Sequence, residues 1–169
     1  MNKLRIALAL QLLVFLAWGG WLLASRSADS PEFYLETRPV DPRDLVSGTY
    51  VALNYDISNP APENCRIVLG EPRSFFVKLE DRGRTAMTRE GSVPVYEATD
   101  CAFEAGKEAG WVKADSTYRF GGYAASYGIE RFYLNENDPR RNARSGAVIA
   151  KVKIGGGRRL ALLDLAEKI

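Results

Sequence analysis

The chain has 169 residues, 46% hydrophobic and 26% charged, which excludes a disordered or fibrous protein and leaves room for one ordinary domain plus an appendage. Lys3 and Arg5 account for the whole formal charge of +2, since the other 21 basic residues match 21 acidic ones. There is no histidine, which removes Ser-His-Asp and Cys-His nucleophile activation, histidine zinc sites and imidazole proton shuttles together.

Residues 6–24, "IALALQLLVFLAWGGWLLA", contain one strongly polar side chain, Gln11. As a helix they cover about 30 Å, one bilayer crossing. Lys3 and Arg5 precede the stretch, whereas Arg26 and then Asp29, Glu32 and Glu36 follow it. The positive-inside bias therefore places the N-terminus in the cytoplasm and everything after about residue 26 outside. Trp18 and Trp21 suit an interfacial belt at the outer end. A cleaved secretory signal is the alternative, although its apolar region runs only about 7–15 residues and ends in a small-x-small site. The expected division is a signal-anchor helix over 1–25, a linker over 26–31 and an exported domain over 32–169. That location argues against nucleic acid as a partner.

Export changes the reading of Cys65 and Cys101, the only two cysteines. An oxidising compartment lets such a pair persist as a disulfide, worth about 3–4 kcal/mol in the chain-entropy model. Two unpaired thiols remain the alternative, since sequence sets no distance between them.

Beyond the linker, residues 32–38 read as a strand. Pro39 and Pro42 with Asp41 and Asp44 read as a stiffened turn. In "SGTYVALNYDIS", residues 47–58, period-two alternation places Val51, Leu53, Tyr55 and Ile57 on a core face and Tyr50, Ala52, Asn54 and Asp56 opposite. Residues 58–66 and 97–108 read as loops. Phe75, Val77 and Leu79 alternate before Asp81-Arg82-Gly83, a hairpin-turn signal ahead of Thr85 to Thr88. Further strands are expected over 110–120 and 127–134, the latter "YGIERFYL" with Glu130 sharing a face with Phe132 and Leu134. Asp138-Pro139 opens a possible two-turn helix. A final hairpin places Val148, Ala150, Val152 and Ile154 inward and Lys151 and Lys153 outward, turns at Gly155 to Gly157 and returns through "RRLALLDL". The fold class is therefore mainly β: one N-terminal transmembrane helix followed by a small antiparallel β-sandwich or partly closed barrel. Residues 139–169 carry eight basic side chains against two acidic ones, either a solvated face or an approach to an anionic surface.

The segment "RPVDPRDLVSGTYVALNYDIS" resembles the bacterial GDYXXLXY family, whose motif Gly48, Tyr50, Leu53 and Tyr55 match at the right spacing, with Thr49 in place of the aspartate. "YGIERFYL" is similar to a second segment of that family, and the resemblance spans most of residues 32–165. It implies a membrane-anchored protein of the bacterial inner membrane with no established activity or catalytic residues, and it suggests a complex with a multi-spanning membrane protein. Were the family aspartate a catalytic acid or metal ligand, this chain would lack it. A turn-capping role survives, because threonine makes a weaker version of the same local hydrogen bond.

No residue pattern identifies a reaction, a metal or a cofactor. The cysteines stand 36 apart, so there is no C-x-x-C motif, and no G-x-x-x-x-G-K-[ST] loop occurs. A serine–lysine dyad is formally open, but no serine sits in a nucleophile context. The leading expectation is a non-enzymatic envelope protein that docks on another membrane protein through the Gly48–Tyr55 strand, "YGIERFYL" or both. The alternative is an envelope hydrolase or ligand sensor with a groove lined by Tyr50, Tyr127 and Glu130. Candidate binding residues are Tyr50, Tyr55, Tyr127 and Glu130, with a structural role for the tyrosines, as plugs on two faces of the strand, standing beside a ligand-facing one.

Overall fold

Helix α1 runs from Asn2 to Arg26, and its segment Lys3–Leu22 is long and apolar enough to cross a membrane by length and composition. The large apolar side chains from Leu4 to Trp21 are exposed, so no packing within this chain explains a helix that is apolar all round. The computed structural model describes residues 2–26, 32–39, 50–71, 73–119, 122–135, 138 and 143–169. It divides into two compact units, Met1–Ser30 and Pro31–Ile169. Most of the linker, the Asp41-Pro42 turn with Asp44, Gly48, Thr49 and the body of the helix expected after Asp138 lie outside the described residues.

The second unit is built from strands β1 (Glu32–Arg38), β2 (Tyr50–Ala52), β3 (Asn54–Tyr55), β4 (Ser74–Thr88), β5 (Gly91–Ala102), β6 (Trp111–Arg119), β7 (Gly122–Ser126), β8 (Arg131–Tyr133), β9 (Val148–Ile154) and β10 (Leu160–Glu167). A 3-10 turn at Asp56–Ser58 and helix α2 (Glu63–Leu69) separate β3 from β4. The main sheet is a curled half-barrel with strand order β10-β9-β1-β5-β4-β6-β7; β3 pairs with β1, and β2 pairs with β8 in a small second sheet. Pairing is antiparallel except between β1 and β5, which meet in parallel at Tyr34 and Val95. That exception departs from the all-antiparallel expectation. No hairpin joins β1 to β5, so no short connection imposes their direction.

The alternating residues supply the core: Leu35, Leu53, Tyr55, Phe75, Val77, Val112, Val148, Ala150 and Val152 are buried on the inner face. Each large side chain fully removed from water contributes about 1.5–3 kcal/mol before entropy is counted. Ile149 is also fully buried, on the opposite face, where it packs with Ala86 and Val95 against Tyr34 and Val93. This second core draws its side chains from β1, β9 and the distal half of the β4–β5 hairpin. The hairpin tip is tied down by a Thr88–Lys168 bridge and by the Ile169 N–H donating to the Met87 carbonyl at 3.1 Å.

Four local expectations are corrected. Asp81 to Gly83 is not a hairpin turn; β4 continues through it with a shift of register between Asp81 and Thr85. The Gly83 N–H donates to Asp81 Oδ1 at 2.8 Å, so the residues make turn chemistry inside a bulge, and the reversal comes later at Arg89-Glu90. Residues 97–102 belong to β5 rather than a loop. Within 58–66, the chain starts α2 at Glu63, with Pro62 at the N-cap and Gly70 at the C-cap. Residues 127–130 form a turn, with Gly128 at φ +79°, and only Arg131–Tyr133 pairs as strand.

Candidate functional site

The two quoted motifs, some seventy residues apart in sequence, meet in one structure. Tyr50, Val51 and Ala52 pair antiparallel with Tyr133, Phe132 and Arg131, and the Leu53 N–H donates to the Glu130 carbonyl at 2.8 Å. Tyr55 then crosses: its hydroxyl donates to the Ile129 carbonyl at 2.7 Å, while the Tyr127 hydroxyl donates to the Ile57 carbonyl at 2.7 Å. Each motif thus inserts a phenol into the other's backbone, a reciprocal clasp. Both rings are buried, at 0% and 2% exposure. Burial pushes both phenols well above their ordinary range, with the charge of Glu130 as a smaller contribution, so both stay neutral donors at physiological pH.

Glu130 is half-buried and works locally. Its Oε1 accepts from the Tyr127 N–H at 2.5 Å and from Ser126 Oγ at 3.0 Å, which closes the turn around Gly128. Of the three residues expected to line a groove, Tyr127 and Glu130 are engaged in these framework bonds. Of the four candidate binding residues, Tyr55 and Tyr127 are core donors, Glu130 is a turn brace, and Tyr50 is half-buried with no side-chain hydrogen bond to the framework among the described residues.

Around Tyr50 the rim of the clasp is aromatic and basic. The rings of Tyr50 and Tyr133 stand 5.6 Å apart, and the Arg131 guanidinium lies 5.0 Å from the Tyr50 ring centre. Arg131 is pushed above its ordinary range, first by a side-chain hydrogen bond with Tyr133 and then by the charge-related pull of Tyr50. Tyr133 is 65% exposed. Sequence reasoning named the two strands but missed Arg131 and Tyr133, which become neighbours of Tyr50 only through the β2–β8 register. Tyrosine and arginine on such a rim have the chemistry of an interface hot spot.

A separate cleft of about 190 Å³ is lined by Arg38, Asp56, Asn59, Pro60, Arg84, Tyr96 and Glu97, among others. Its charges are mutually paired: Arg38 with Asp56, and Arg84 with Glu36, with Glu97 at 2.8 Å and with Asp56 at 3.6 Å. The Arg84 guanidinium is pushed further above its ordinary range, chiefly by the Glu97 hydrogen bond. Part of the C-terminal basic excess is also paired, Lys151 with Glu32 at 2.7 Å and Lys168 with Glu36. No cluster of three metal-ligating side chains occurs among the described residues.

Cys65 on α2 and Cys101 on β5 form a disulfide, with Cα atoms 4.9 Å apart. Asn64 Nδ2 reinforces the junction by donating to the Cys101 carbonyl at 3.1 Å and to Asp100.

A family model described as the GDYXXLXY protein matches residues 12–165. No curated protein and no solved structure matches the chain.

Proposed function

The chain belongs to the GDYXXLXY family, and from that premise we propose that it is a non-enzymatic, membrane-anchored envelope protein whose β-unit docks on a multi-spanning membrane protein as an accessory subunit. The observation that carries this reading is the Tyr50–Arg131–Tyr133 rim, built where the two motifs join, with Arg131 and Tyr133 exposed and Tyr50 half-buried. Deeper in the clasp the Tyr55 and Tyr127 hydroxyls are committed to backbone carbonyls, so the rim is where the motifs offer polar side chains to a partner.

Helix α1 supplies the anchor in the plasma membrane, with Lys3 and Arg5 holding its N-terminus in the cytoplasm. The Cys65–Cys101 disulfide favours an oxidising, extracytoplasmic site for the β-unit. The test is mild-detergent affinity purification of the full chain from native membranes against an anchor-only control. A stoichiometric multi-spanning partner is expected, and Tyr50→Ala with Arg131→Ala should reduce its recovery at least about fivefold, the effect of losing one or more kcal/mol at a hot spot. Recovery unchanged in a folded double variant would sink the docking role.

A second reading, a ligand-sensing unit, is favoured by the Arg38–Arg84 cleft. Its paired charges suit a small zwitterion that exchanges partners with Arg84 and Glu97. Thermal-shift screening of amino acids and short peptides, with Arg84→Ala as control, tests it; no shift with any of them counts against it.

A further inference from the structure

Gln11 is the one strongly polar side chain in residues 6–24. The centre of the Lys3–Leu22 segment falls between residues 12 and 13, so at about 1.5 Å per residue Gln11 lies only about 2 Å from the middle of the span. Its side chain is exposed and has no hydrogen-bond partner among the described residues. At that depth hydrocarbon offers its amide nothing, and a polar group left unpaired there is costly. A tether alone has no use for this residue, since leucine would serve better.

Resting on the reading of α1 as a membrane span, we infer that α1 pairs in the bilayer with α1 of a second copy of this chain, in parallel, through Gln11. The occupant follows from the chemistry of the group. A primary amide carries donors and an acceptor together, so two glutamines satisfy each other reciprocally with no demand on any other sequence. Both copies are oriented by the same charges, Lys3 and Arg5, so they insert in parallel and their Gln11 side chains arrive at equal depth. Leu4, Ala7, Val14 and Trp18 lie within about 60° of Gln11 around the helix. Their positions 4, 7, 11, 14 and 18 follow the 3-4 spacing of a two-helix seam, and the small Ala7 lets the backbones approach one turn before the amide.

The full chain in its native membranes provides the test. Because Cys65 and Cys101 are already joined, one introduced cysteine is the only free thiol. Val14→Cys, on the Gln11 face, should give a product of twice the chain's mass on copper-phenanthroline oxidation. Leu13→Cys, about 160° from Gln11, should give far less. Adding Gln11→Leu to Val14→Cys should weaken association about 3- to 20-fold, the range of single interhelical hydrogen bonds in membranes, and Gln11→Asn should restore much of it. Equal yields from Val14→Cys and Leu13→Cys, indifference to Gln11→Leu, or a product of any other mass overturns the pairing. An alkaline carbonate wash separates the two levels: a chain retained in the pellet but uncrosslinked loses the pairing and keeps the membrane span, whereas a chain released into the supernatant loses both.

Discussion

Replacing Tyr55, Tyr127 or both by phenylalanine tests the clasp without emptying the core. Each substitution keeps a buried ring and removes one hydroxyl, the donor to the Ile129 or the Ile57 carbonyl. A typical hydrogen bond contributes about 0.5–1.5 kcal/mol net, and a buried acceptor left unpaired costs about 1–3 kcal/mol. Both donors are buried, Tyr55 at 0% and Tyr127 at 2% exposure, so no water stands ready to replace them and the upper half of that range applies, about 2 kcal/mol for each single variant. The two bonds join the same segments, 55–57 and 127–129, so loss of one loosens the other. The double variant should therefore lose less than the sum, with a coupling of about 0.5–1 kcal/mol. Urea unfolding of the full chain in mild detergent, followed by near-UV circular dichroism with the disulfide intact, measures all four corners of the cycle. Single losses below about 0.5 kcal/mol, or strict additivity, would refute the reciprocal clasp as a stabilising device.

Three further outcomes are expected. Both buried phenols have folded-state pKa values raised by burial above the ordinary value of about 10, so their contribution is complete below pH 10 and is lost as pH climbs above it, at up to about 1.4 kcal/mol per pH unit for each group; Tyr127→Phe should flatten part of that alkaline fall in urea midpoints between pH 9 and 11. Gly110→Ala should cost at least about 2 kcal/mol by thermal unfolding, because φ is +91° and a Cβ would stand 2.6 Å from the Leu79 carbonyl oxygen, whereas Gly83→Ala, at φ +79° in open space, should cost only the conformational penalty of about 1 kcal/mol. Cys65→Ala with Cys101→Ala opens a loop of 36 residues' separation and should lower stability by about 4 kcal/mol in the chain-entropy model, read as the gap between oxidised wild type and variant in urea.

Much of the β architecture was legible where one face of a strand is wetter than the other; β9, buried on both faces at Ile149, is an exception. Val51, Leu53, Tyr55 and Ile57, then Phe75, Val77 and Leu79, then Val148, Ala150 and Val152 alternate in sequence and are buried in the structure. Where local chemistry is shared by two structures the reading failed. Asp81-Arg82-Gly83 makes the same side-chain-to-backbone bond in a bulge as in a turn, and only the pairing partners of β4 distinguish them. Helix α2 carries its signals, Pro62, Glu63 and Gly70, yet seven residues are too few to display a helical period. The outer part of β5 was hidden by Glu97, Thr99 and Asp100, which are polar and only half-buried. At the site, the tyrosines were visible but their bonds were not: partners separated by 70 and 74 residues are set by the fold, not by spacing.

The clasp also bears on what the family signature records. Leu53 and Tyr55 are buried, and Tyr55 is bonded to backbone; a backbone carbonyl is present whatever residue supplies it, so Tyr55 can be kept while its partner segment varies. In this chain Leu53 and Tyr55 of the motif build a joint between two segments. Thr49 in the aspartate position fits this logic, since a local capping bond tolerates the exchange and an acid catalyst would not. The joint's output is then geometric: it fixes the β2–β8 register, and that register alone sets Arg131 over Tyr50 and Tyr133 beside it. Slipping the register by one residue would turn Tyr50 to the opposite face of the small sheet. On the proposed docking role the buried phenols would act only indirectly: Tyr127→Phe should weaken partner recovery only as far as it loosens the ribbon, whereas Arg131→Ala should weaken it with stability unchanged.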